Sequence, residues 1–348
     1  MTRSKHYRAC LVLFASMGIS VSSLLQSAKA APHSLKAQID AAPLEHKAEY
    51  KTQSSTQSKA QTTKTNSLAN TPNSKQTTTE PAPTATEADQ ALTEGLDFIR
   101  QGNITAAITA FQKAISINPN SSAAQYNLGL ALRQNNQLQA AANAFWQATQ
   151  ADPDFVLAYV NLGAALIEGD NFEQAQPYLA RALELDPSMG IAHYNMGLLH
   201  KKLGNQAAAF ESFKEAIALS PSAPESHYQI GLLYQEQQQY DQAQTAFQNA
   251  IDLDYRYPEA HYNLGVTFIR QNSPETAIIA FTRATELQPM FGHAHYAIGL
   301  ALADLQRYSE AQEHLQTAAN IYISQGNAQW ASNAQTQIEQ ITNIRRDQ

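Results

Sequence analysis

Five carboxamides stand 34 residues apart: Asn127, Asn161, Asn195, Gln229 and Asn263. A carboxamide carries both a donor and an acceptor, so its chemistry is pairing with another amide rather than making or breaking bonds. The residue before most of them is aromatic: Tyr126, Tyr194, Tyr228 and Tyr262, with Val160 interrupting the row and Tyr296 continuing it before Ala297. Tyrosine adds apolar area with a polar tip, which suits a face that must stay wet when empty. A second row, His193, His227, His261 and His295, keeps the same period. On successive packed helices, equivalent atoms would lie about 10 Å apart, whereas one metal ion needs nitrogens about 2 Å away. That row holds no single ion, and neither a metal nor a cofactor is expected. No G-x-S-x-G, H-E-x-x-H, G-x-x-x-x-G-K-[ST] or dinucleotide fingerprint occurs.

Asparagine is a poor helix former that belongs at caps and turns, so the elements that carry these rows matter. Glycine is only 14 of 348 residues, yet it recurs at Gly95, Gly129, Gly163, Gly197, Gly231, Gly265 and Gly299. Alanine follows each by twelve residues (Ala107 to Ala311) and again by nineteen (Ala114 to Ala318). Between them lies Phe111, Phe145, Leu179, Phe213, Phe247, Phe281 or Leu315. A period of this size is the signature of stacked supersecondary units. Within each unit, two stripes at three- and four-residue spacing predict two helices. A Gly or Asn marks the break between them at Gly102, Asn136, Gly204 and Asn272, where a left-handed residue ends a helix. Proline closes five units, at Pro119, Pro153, Pro187, Pro221 and Pro289. Tyr255 and Ile323 replace it in the other two, and the helix carrying Ile323 is expected to run on. Pro258 falls at a helix start, and Pro177 sits one turn into a second helix. The lattice Gly and Ala are expected to be small because helix backbones approach closely there.

These residues resemble the tetratricopeptide repeat family, whose unit is a 34-residue helix–turn–helix. The resemblance covers seven units: 88–121, 122–155, 156–189, 190–223, 224–257, 258–291 and 292–325. It implies an all-α fold, a right-handed α-α superhelix, with residues 326–348 as a C-terminal capping helix on which Trp330, Ala334, Ile338 and Ile341 share one face. In that family the first helices line the concave face. Asparagine at the matching position, as in the repeat arm of the protein-glycosylating transferase, forms a ladder that holds a ligand's backbone. By resemblance Asn127, Asn161, Asn195, Gln229 and Asn263 are peptide-binding rungs, with Tyr126, Tyr194, Tyr228, Tyr262 and Tyr296 beside them. The rungs would span roughly 40 Å, which is about 12 residues of extended ligand. Chaperone-binding members use lysine beside the ladder to clamp an acidic C-terminus. No residue at that position is basic here, so such a clamp is not expected.

The rest of the chain is not repetitive. Arg3, Lys5 and Arg8 precede a mostly apolar run from Ala9 to Leu25, and Ala28-Lys29-Ala30 supplies small residues for cleavage. A signal peptide removed after Ala30 is expected, placing the protein in the periplasm or outside the cell; an uncleaved N-terminal anchor is the alternative. Cys10 is the one cysteine and would leave with the signal. Residues 31–87 are rich in Ser, Thr and Gln, with no aromatic residue after Tyr50, and are expected to stay disordered. Residues 1–87 carry net charge +5 and residues 88–348 net −12, so the repeats repel phosphate backbones and no nucleic-acid partner is expected. Mean hydropathy is −0.39, and no stable membrane span is expected once the signal is gone. Signal, linker, repeats and cap consume the chain and leave no domain to host a catalytic pocket. The expected function is a non-enzymatic adaptor that holds an extended segment of another protein and supports assembly of an exported or membrane complex. A self-associating structural array and a targeting subunit for an enzyme encoded elsewhere are the alternatives.

Overall fold

The computed structural model describes residues 85–346. The expected signal, and the linker as far as residue 84, lie outside the described residues. Fifteen α-helices and no strand occur among those described. They are α1 (Ala85–Arg100), α2 (Ile104–Ile117), α3 (Ser122–Gln134), α4 (Leu138–Ala151), α5 (Val156–Glu168), α6 (Phe172–Leu185), α7 (Gly190–Lys202) and α8 (Gln206–Leu219). Then follow α9 (Pro224–Glu236), α10 (Tyr240–Leu253), α11 (Pro258–Arg270), α12 (Pro274–Leu287), α13 (Gly292–Asp304), α14 (Tyr308–Ser324) and α15 (Ala328–Arg346). Described residues up to Tyr255 form one compact unit, and those from Arg256 form another. Each is a stack of helix hairpins.

Every hairpin turns on a residue with positive φ. The lattice position is Gly102, Asn136, Asp170, Gly204, Gln238, Asn272 and Gln306, with φ between 57° and 77°. The next residue's N–H then reaches back five residues, as from Asn103 to the Phe98 carbonyl (2.9 Å) and from Asn205 to His200 (2.8 Å). This is the Schellman closure, which satisfies the carbonyls a helix end leaves open. Although α14 closes on Gly326 with φ 72°, the second helices as far as α12 end differently. Their capping residues are extended, with φ near −140° at Asp152, Asp186 and Asp254, the conformation that a following proline imposes. Asp254 keeps it although Tyr255 follows. Helix α6 continues through Pro177, and α14 runs through Ile323 to Ser324.

The space beside each lattice glycine is filled first of all by a side chain, with the Ala311 carbonyl also close to Gly299. A Cβ on Gly197 would lie 2.6 Å from the Phe213 ring, and one on Gly265 2.6 Å from Phe281. Phe111, Phe145, Phe213, Phe247 and Phe281 are wholly buried, as are the lattice alanines around them. In the C-terminal unit, Trp330, Ala334 and Ile341 of α15 are buried and Ile338 packs against the same core, so α15 caps the stack. Among the described residues no helix is long and apolar enough to cross a membrane.

Candidate functional site: the first-helix face

All five carboxamides lie in mid-helix on the first helix of their hairpins, α3, α5, α7, α9 and α11. Their side chains bond mainly to their own surroundings. The amide N–H of Asn127 donates to the Ala123 carbonyl (2.8 Å), that of Asn161 to Leu157 (3.0 Å) and that of Asn263 to Glu259 (2.9 Å). Each bond reaches back one turn and supplies what mid-helix asparagine otherwise lacks. Exposure divides the row. Asn127 and Asn161 are half-buried, whereas Asn195 is 4% exposed and Asn263 3%, and Gln229 is buried too. Among the rungs, Asn127 and Asn161 are therefore the two whose amides meet solvent.

The tyrosines pack inward. Tyr194, Tyr228, Tyr262 and Tyr296 are buried and Tyr126 is half-buried. Their rings tilt against the phenylalanine of the same hairpin, with centroids 5.5–5.8 Å apart in the pairs Tyr126–Phe145, Tyr194–Phe213, Tyr228–Phe247 and Tyr262–Phe281. Burial pushes the phenols of Tyr126, Tyr194 and Tyr262 up, and that of Tyr296 up to about 12. Their ring area serves the core.

The N-terminal unit ties successive hairpins together in a motif that appears twice, 68 residues apart. Asn161 donates to the Tyr126 hydroxyl of the preceding hairpin (3.2 Å) and accepts from Arg133 (3.4 Å), while Arg133 Nε also grips Glu168 (2.9 and 3.2 Å). Two hairpins later, Gln229 bonds Tyr194 and accepts from Lys201 (3.0 Å), with Glu236 close enough to favour the ammonium. Burial nevertheless pushes the Lys201 ammonium down. The Arg133 side chain is only 12% exposed, so its charge is spent within the protein. Ile167 holds the equivalent lattice position in the hairpin between, so the 34-residue repeat does not reveal the pairing. Sequence reasoning missed Arg133, Glu168 and Lys201 for this reason.

It also missed Leu157 and Ile191. They hold the same lattice position, one turn before Asn161 and Asn195, and each is 41% exposed. Leu130, Leu198 and Leu232, three residues after their carboxamides, are half-buried. The first-helix face of α3 to α9 thus offers solvent an apolar lane beside open amides. The histidine row is distributed along its helices: the His193 ring bonds the Pro187 carbonyl (3.0 Å) and His295 the Pro289 carbonyl (3.2 Å). Among the described residues no group of three or more His, Cys, Asp or Glu surrounds one point.

A family model described as tetratricopeptide repeat matches residues 92–155, 160–224, 228–289 and 270–328. The chain belongs to the tetratricopeptide repeat family. Comparison with curated proteins gives no match. Among solved structures, the chain is similar to one described as the APC/C hetero-tetramer Cut9-Hcn1, with TM-score 0.57 and 19% identity over 71% of this chain. It spans 46% of that chain, less than half its length. It is also similar to a tetratricopeptide repeat protein from Parabacteroides merdae ATCC 43184, with TM-score 0.57 and 16% identity over 72% of this chain and 99% of that one. Identities this low speak for the fold. A tetratricopeptide repeat array supports a protein-interaction scaffold, and the face built by α3 to α9 is the surface on which the specific reading rests.

Proposed function

We propose that this tetratricopeptide repeat protein is a non-enzymatic scaffold that holds an extended, partly apolar segment of a partner protein along α3 to α9. The observation that carries the reading is the pair Leu157 and Ile191, large aliphatic side chains left 41% exposed at equivalent positions of adjacent hairpins. Apolar side chains of the partner would cover them. Asn127 would pair with its backbone, because its amide N–H is engaged by its own helix and its oxygen can accept from a ligand N–H. We place this activity in the periplasm or outside the cell, after cleavage behind Ala30, where it supports assembly of an exported or membrane complex. Intact-mass measurement of the exported protein tests that placement, with an N-terminus at Ala31 expected.

Covering a large aliphatic side chain is worth about 1.5–3 kcal/mol in full, and these two are already partly covered. The double variant Leu157→Glu/Ile191→Glu should therefore bind about tenfold more weakly while melting like the wild type, because neither residue belongs to the core. The partner is first captured from the exported fraction. Its extended segment is then titrated calorimetrically against both proteins. Equal affinities would remove this face from the function.

A further inference from the structure

The hairpin α13–α14 carries a histidine pair found in no other repeat. His295 of α13 and His314 of α14 bring their Nδ1 atoms to 3.3 Å, with the rings stacked at 30°. The His295 Nε2–H donates to the Pro289 carbonyl (3.2 Å), so neutral His295 presents its Nδ1 lone pair to His314. Holding one ring nitrogen on a backbone carbonyl is how metal-binding histidines are oriented. His193 shows the same carbonyl contact in the fourth repeat, so that much belongs to the repeat. The second nitrogen does not. The lattice position of His314 is Ala110, Ala144, Tyr178, Ser212, Ala246 and Ala280 in the six earlier repeats.

We propose that His295 Nδ1 and His314 Nδ1 bind a borderline divalent metal ion such as Zn2+, with water completing its shell. Two nitrogens 3.3 Å apart subtend about 105–110° at an ion held about 2.0–2.1 Å from each, the tetrahedral angle zinc adopts. Imidazole suits zinc, nickel and copper. Both rings are half-buried. Burial holds both in the neutral form that a metal requires. Glu310 and Glu313 on α14 favour positive charge at His314; Arg307, bonded to Glu310 at 2.8 Å, offsets part of that field. On binding, His314 gives up its Nδ1 proton to solvent and takes one at Nε2, so both rings remain neutral and no net proton is released. His293, two residues from His295, points elsewhere and bonds the Tyr322 hydroxyl (2.9 Å).

The test is zinc titration of the full chain, followed by calorimetry and by thermal unfolding with magnesium as the control ion. His314→Ala restores the residue most repeats carry there, so it is expected to fold. His295→Gln removes the other ligand, and His193→Gln removes a ring with the same carbonyl contact but no facing histidine. The expected result is a zinc site and a zinc-dependent rise in melting temperature in the wild type. Affinity should fall at least tenfold in His314→Ala and in His295→Gln and be retained in His193→Gln. The proposal is overturned if the wild type shows no zinc site, if His314→Ala binds zinc like the wild type, or if His193→Gln loses as much as His295→Gln.

Discussion

At the scale of single residues, the row of carboxamides divides into different jobs. Asn127 bonds one turn back and faces solvent, so Asn127→Ala should leave the melting temperature nearly unchanged, within about 0.5 kcal/mol. Asn161 links two hairpins through Tyr126 and Arg133. Replacing it with alanine leaves those groups short of a partner, and a loss of about 0.5–1.5 kcal/mol is expected by denaturant titration. The gain in helix propensity, at most about 0.7 kcal/mol, offsets part of that loss. The lattice glycines answer to a different constraint. In Gly197→Ala the new methyl meets the Phe213 ring at 2.6 Å, and neither helix can yield without opening the hairpin. A cost of about 1–3 kcal/mol is expected, read as a lower denaturant midpoint. Leucine in place of the ring makes no extra room, since a Cβ on Gly163 would meet Leu179 at 2.5 Å.

At the scale of elements, the hairpin turns hold the local strain. Gln238 and Gln306 adopt φ of 59°, a left-handed conformation that costs an L-residue about 1–2 kcal/mol. Glycine accepts it but has more freedom to lose in the unfolded chain, worth about 0.5–1 kcal/mol. The balance predicts that Gln238→Gly and Gln306→Gly each raise stability by roughly 0.5–1 kcal/mol, read as a higher denaturant midpoint. Lower midpoints in both would mean that the glutamine side chains contribute more than their backbones cost. The other element end points the same way. Asp254 has φ −139°, already suited to a following proline, so Tyr255→Pro should stabilise by about 0.4–1 kcal/mol through the unfolded state.

At the scale of the whole molecule, burial of titratable rings shapes the response to pH. His200, His227, His295 and His314 are all pushed below the usual histidine range, first of all by burial. Above about pH 6.5 these histidines are neutral in both states and their contribution is complete. As pH falls through that value the unfolded chain takes up protons first, and stability is lost. The tyrosines act at the other end. Tyr126, Tyr194, Tyr262, Tyr296 and Tyr322 are pushed up by burial, so their contribution is complete below about pH 10 and is lost above it as the unfolded phenols ionise. Melting temperature should therefore be flat from about pH 7 to 9 and fall on both sides. A rising melting temperature between pH 7 and 5 would contradict the acid limb.

Much of this molecule is written along the chain because a repeat places equivalent residues in equivalent surroundings. The lattice of Gly95 to Gly299, with its alanines and phenylalanines, is enough to specify helix hairpins, their number and their stacking. The run of α14 through Ile323 and the start of α11 at Pro258 follow from where proline stands. Periodicity names the shared position but does not say how much of it a neighbour covers. Asn127 and Asn263 are one position by sequence, yet the first meets solvent and the second is 3% exposed. Leu157 looks like one more core leucine until its neighbours leave it 41% exposed. Gln238 carries no turn signature, because its left-handed φ is imposed by the hairpin closing around it. The bonds from Arg133 to Asn161 and from His295 to His314 join residues 28 and 19 positions apart. They exist only once hairpins are stacked and folded, because side-chain packing depends on distances in space that a one-dimensional period does not contain.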